Sequence, residues 1–151
     1  MSVSGINSLK AKLRTLKAVS NATSLAAYAG GLVVEGAAKV NIREEDLIDT
    51  GFMVNSVCTV SDKKGTYYKA KAAAEAKNPK ESMLPAPNPK LGEAVVMVGA
   101  EYAGILHNNN TNPHPFLRKA VDENEKQVLE AVSNVIEKQV KAAVKGGVFR
   151  G

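Results

Sequence analysis

The sequence predicts an α+β fold, a small antiparallel sheet of three to four strands flanked by long N-terminal and C-terminal helices. Two patterns carry that expectation. Apolar residues recur in steps of three and four across residues 4–40 and again across 115–145, the period of an amphipathic helix. Between them lie short runs rich in β-branched residues, SVCTV at 56–60 and EAVVMVG at 93–99, which suit a pleated surface. With 151 residues, 44% of them hydrophobic, the chain has the length and apolar content of one domain, residues 1–151, with its own core.

The first helical pattern runs through Ile6, Leu9, Leu13, Leu16, Val19, Ala22, Ala26, Ala29, Val33, Ala37 and Val40. Ser4 stands where an N-cap belongs. Gly30 and Gly31 interrupt the pattern. Each glycine costs a helix interior about 1 kcal/mol relative to alanine, so a kink or split is expected there. A charged link at 41–49 follows, and Thr50 with Gly51 marks a turn. The strand at 56–60 leads into a hairpin turn, DKKG at 62–65, and a return strand beginning TYYKA at 66–70.

Four of the six prolines fall within 77–92. Such a segment forms neither helix nor central strand and is expected as an extended, exposed loop. The strand at 93–99 is expected to be the most buried. Residues 102–106 read as a helical turn or a strand end. The polar stretch HNNNTNPH at 107–114 is a second exposed loop. Pro115 then sits in the first turn of the last helix, which runs to about residue 145 on Leu117, Val121, Val128, Val132, Val135, Ile136, Val140 and Val144. Asp122 with Lys126 and Glu137 with Lys141 are acid-before-base pairs four apart. Gly146 and Gly147 stop the helix and leave 146–151 as a mobile tail.

The motifs that carry chemistry are weak. Cys58 is the only cysteine, so no internal disulfide forms, which points to a reducing site of folding. The first ten residues have no apolar core of a secretory signal, and no stretch reaches the roughly 18 apolar residues of a membrane span. Asp49 sits in LIDTG at 47–51, similar to the signature of aspartic proteases, where two aspartates share a proton. Those enzymes are almost wholly β, and a local turn explains the residues as well. His107 and His114 lack the further ligands a zinc site needs. Neither catalysis nor a cofactor or metal is expected. Net charge is +5 with 5% aromatics. Tyr67 and Tyr68, flanked by Lys63, Lys64, Lys69 and Lys71, are the one candidate stacking platform for nucleic acid.

Two helices of some 30 residues each extend about 45 Å, more than a small sheet covers. Uncovered apolar helix ends need a neighbour, which points to self-association.

Three stretches in order resemble a phage family. They are TGFMVNSV at 50–57, VMVG at 96–99 leading to Tyr102 and Ala103, and PFLRKAV at 115–121. Following a long N-terminal helix, the set is similar to the small tail-completion, or head–tail joining, proteins of tailed bacteriophages. The resemblance spans most of 5–145. Lys119 stands where the family has a proline, and 106–109 replaces its Glu and Gly-Thr turn. The resemblance implies a structural virion protein of the neck or tail, made in the host cytoplasm, that joins portal to tail. It implies a homo-oligomeric ring, a hexamer first and a dodecamer second, with DNA passing through the lumen. Neighbouring connector and tail-tube or terminator proteins would be its partners. Thr50, Gly51, Ser56, Tyr102, Pro115, Phe116 and Arg118 carry the resemblance, as fold-signature or subunit-interface residues. Phe116 is expected to anchor the last helix and Arg118 to face a neighbour. The alternative is a small basic nucleic-acid-binding protein.

Overall fold

The structure, a computed structural model, describes residues 3–47 and 50–145, with side chains from residue 5 onward. Asp49 of the protease-like motif and the 146–151 tail, with its expected glycine stop, lie outside the described residues. The elements run α1 (Val3–Glu44), α2 (Phe52–Asn55), β1 (Val57–Ser61), α3 (Tyr67–Lys77), β2 (Ala94–Val98), α4 (Ala103–His107), α5 (Phe116–Glu123) and α6 (Glu125–Lys145).

Helix α1 is 42 residues long and unbroken. It already includes Ser4, the expected cap. The split that was the alternative to a kink at Gly30 and Gly31 is absent, because packing uses the missing side chains. A Cβ on Gly30 would stand 3.0 Å from Val132, and one on Gly31 would stand 2.5 Å from the Thr59 methyl. The glycines let α6 and β1 approach from two sides, and that contact offsets their low helix propensity. At its end, Asp46 takes a left-handed φ of 54°. The Asp46 N–H donates to Arg43 O and the Leu47 N–H to Ile42 O, a Schellman stop with aspartate in glycine's place.

β1 and β2 pair antiparallel, with Val57 opposite Val98 and Ser61 opposite Ala94. They are the whole sheet among the described residues, two strands rather than three to four. The expected return strand is helix α3, which also carries Lys69 and Lys71 off the hairpin. The turn forms: the Ser61 N–H donates to Lys64 O, and Val60 bridges Gly65. Pairing then stops after Thr66, whose N–H donates to Thr59 O and whose hydroxyl accepts from the Thr59 N–H. From Tyr67 the run YYKAKAAAEAK, rich in alanine, favours helix.

β1, not β2, is the buried strand. Four of its five residues are buried, while all five of β2 are half-buried. β1 lies between β2 and α3 and packs on α1, whereas β2 is a sheet edge. The core gathers Ile42, Phe52, Val57, Cys58, Phe116 and Ala120 around α1. The last helix breaks at Asn124, whose side-chain amide donates to Ala120 O and so competes with the helical ladder. The break separates Asp122 from Lys126, which form no ion pair. Glu137 and Lys141 do, at 2.8 Å on the surface.

Candidate assembly surface

The residues that carry the family resemblance hold the fold together. Thr50 is exposed, and its hydroxyl accepts the Phe52 N–H. Gly51 takes φ 88° to open α2, and its carbonyl accepts from the Asn55 amide at 2.7 Å. The buried Ser56 joins α2 to the chain after β2. Its hydroxyl donates to Met53 O and accepts the Ala100 N–H, and its carbonyl accepts the Gly99 N–H. Tyr102 is half-buried and leads into α4, the helical turn of the two alternatives there. Pro115 immediately precedes α5, and Phe116 is fully buried, its carbonyl accepting from the Asn41 amide. His107 lies edge-on to Phe116, with ring centroids 5.1 Å apart. Arg118 is exposed, and its guanidinium has no ion pair among the described residues.

The structure also shows a polar cluster that the spacing did not reveal. Glu35 lies buried on α1 and accepts from Lys39 Nζ (2.8 Å) and the Thr66 hydroxyl (3.0 Å). The Thr59 hydroxyl lies 2.8 Å from the same carboxylate and 3.1 Å from Gly31 O, and donates to one at a time. A carboxylate with three donors is satisfied, so the cluster pins α1 to β1. The one sequence signal for it was a glutamate within the apolar stretch LVVEGAA. Burial, then the Glu35 charge, pushes the neighbouring Cys58 thiol up to about 11, against the opposing charge of Lys39. That keeps it a neutral core thiol.

The histidines do not converge. His114 Nδ1 sits 2.9 Å from Glu45 Oε2 and ties its loop to the end of α1. His107 Nδ1 meets Asn108. No group of three metal-ligating side chains occurs among the described residues. Tyr67 is buried and donates to Leu84 O, while Tyr68 is 81% exposed, so the pair offers one ring rather than a platform. No described helix is long and apolar enough to cross a membrane.

What remains exposed is apolar helix. Gly30 packs against Val128 and Val132, while Ala18 and Ala22 face Val140 and Ala143 across a cleft of about 390 Å³. The two helices therefore run antiparallel, and Lys145 falls level with about residue 15 of α1. Below that point α1 extends a further ~18 Å at 1.5 Å per residue. On this arm and at its base, Ile6, Leu9, Leu13 and Leu16 are between 41% and 64% exposed. Lys10, Lys12, Arg14 and Lys17 lie among them, and no Asp or Glu occurs before Glu35. On α6, Leu129, Ile136 and Val140 form a second exposed row, the last two at the edge of that cleft. Comparison with known proteins finds no protein-family model, no curated protein and no solved structure that matches the chain.

Proposed function

We propose that the chain is a self-assembling structural subunit, a ring component at the head–tail junction of a tailed phage. The observation that carries self-assembly is the uncovered apolar row of the α1 arm. A helix of a dozen residues standing off its body is marginal in water. Four large apolar side chains along one face give it reason to be covered. The phage assignment rests on the ordered stretches at 50–57, 96–103 and 115–121, whose residues form the α2–β1, β2–α4 and α5 joints of this fold. The ring, its partners and the passage of DNA come from that resemblance.

Native mass spectrometry of the purified chain, with electron microscopy of particles carrying a tagged copy, tests the reading. A closed oligomer and label at the neck are expected. A strict monomer that labels neither neck nor tail would overturn it. The basic arm, in a stretch free of acids through residue 34, also favours the second reading, a nucleic-acid-binding module. That reading requires DNA affinity falling steeply with salt, and negligible binding at 50 mM salt removes it.

A further inference from the structure

Two solvent-facing rows in this molecule match in spacing and oppose in charge. On the α1 arm, Leu9 is followed by Lys10 and, seven residues on, Leu16 by Lys17. On α6, Leu129 is followed by Glu130 and, seven residues on, Ile136 by Glu137. All four apolar residues are large and exposed, and all four charged side chains lie on exposed positions. A seven-residue repeat with charge beside each apolar residue is the pattern by which paired helices choose their partner.

Building on the self-assembling reading above, we infer that the α1 arm of one copy docks along α6 of a second copy. Leu9 and Leu16 cover Leu129 and Ile136, and Lys10 and Lys17 meet Glu130 and Glu137. The arm does not pair with another arm. Lys10, Lys12 and Lys17 flank its apolar row, so two arms side by side bring like charges together with no acid between them. Glu130 has no ion pair among the described residues, and Glu137 has only an exposed one to Lys141, a weak bond that a second lysine can share. Beside Leu129 and Glu130 the receiving surface continues to Asp122 and Glu123 at the end of α5 and Glu125 at the start of α6, with Lys126 the one base among them.

The size of the contact decides the type of assembly. An arm of about 12 residues offers a face roughly 18 Å by 10 Å, well short of the ~800 Å² per partner that a standard stable interface buries. One contact is therefore too small for a tight dimer. Each copy, however, gives one arm and offers one α6. The two surfaces differ, so the contact is head-to-tail; such contacts close into a ring where the rotation between copies closes, and each copy in a ring is held twice.

The test is a charge exchange in the full chain, read by native mass spectrometry at low salt, with circular dichroism to check that each variant folds. Lys10→Glu/Lys17→Glu alone and Glu130→Lys/Glu137→Lys alone are each expected to lose the oligomer at concentrations where the wild type holds it. Mixing the two variants restores the oligomer with the copies alternating, because an acidic arm then meets a basic α6 and a basic arm an acidic α6. A wild-type oligomer that both variants retain overturns the arm-on-α6 contact and leaves self-assembly standing. A wild type that stays monomeric overturns both. To separate a second copy from a membrane surface, the same proteins are spun with vesicles containing 30% phosphatidylserine. Pelleting lost in the lysine variant and kept in the glutamate variant, with no restoration on mixing, assigns the arm to an anionic surface and overturns the contact with a second copy.

Discussion

The two ends of α1 are built from the same spacing and have opposite fates. Between residues 24 and 42 the helix buries Ser24, Ala26, Val34, Ala38 and Ile42 under the sheet, α5 and α6. Between residues 6 and 16 it holds Ile6, Leu9, Leu13 and Leu16 in solvent. The side chains differ as much as their cover. The buried end is mostly small, with glycine where β1 and α6 come closest. The exposed end is mostly leucine, the side chain suited to filling a partner's groove. Apolar period tells where a helix has a face, and side-chain size on that face tells whether close packing within the chain has shaped it.

The largest expected effect sharpens this contrast directly. Phe116→Ala and Ile42→Ala each empty a fully buried position and are expected to cost about 3–5 and 2–5 kcal/mol respectively. Urea unfolding of the two variants checks this. Leu13→Ser on the arm is expected to change monomer stability by no more than about 0.5 kcal/mol while weakening any oligomer at least tenfold. If Leu13→Ser destabilises the monomer as much as Ile42→Ala does, the arm is covered within its own chain and the contrast fails.

The same contrast marks how much could be read in advance. The helix over 4–40 was legible because its period persists through both ends. The buried row was not: it follows Ala26, Val34, Ala38 and Ile42 in steps of four, whereas the apolar pattern ran through Ala29, Val33, Ala37 and Val40, and Val40 is exposed. The sheet, α5 and α6 all pack on α1, so the buried strip is wider than one face and takes in Glu35 and Asn41. The return strand at 66–70 was misread because YY carries strand propensity, whereas the alanines that follow decide for helix. The loop at 77–92 was placed correctly but is tied down, with Met83 buried, the Leu84 N–H donating to Gly99 O and the Gly92 N–H to Ser24. No local pattern encodes those contacts. Of the seven resemblance residues, Ser56 and Phe116 are buried in the fold; the sequence suggested this for Phe116, at the start of a helix, and not for Ser56. An exposed Arg118 gives no such signal.

Next in size is a pH effect confined to the buried end. Cys58 is fully buried beside Glu35, and its thiol titrates near 11 rather than near 9. The folded state holds the proton more tightly than the unfolded chain does. The stability this represents is complete below about pH 9 and is lost as pH rises towards 11, by about 2 kcal/mol at about 1.4 per unit. Cys58→Ala removes that slope, so the difference between the two proteins' urea midpoints should change across pH 9–11. Native thiolate is about 100-fold scarcer at pH 8, so Ellman's reagent should react rapidly only after unfolding. Rapid reaction in the native protein would mean that this part of the core opens readily.

The smallest effect that separates two sites comes from two glycines five residues apart on α1, which repeat the contrast within its buried end, the gain at Gly36 being the smaller of the pair. At Gly31 a Cβ would stand 2.5 Å from the Thr59 methyl, on the residue that also holds Glu35, whereas at Gly36 it would meet nothing within 4 Å. Gly31→Ala therefore has to push β1 away and disturb the Glu35 cluster, at a cost of about 1–3 kcal/mol. Gly36→Ala only gains helix propensity and limits the unfolded chain, a stabilisation of about 0.5–1 kcal/mol. Thermal unfolding of the two variants should move in opposite directions. If Gly36→Ala leaves monomer stability raised but weakens the oligomer, then the solvent side of α1 near Gly36 is also an assembly contact, and the interface extends beyond the arm.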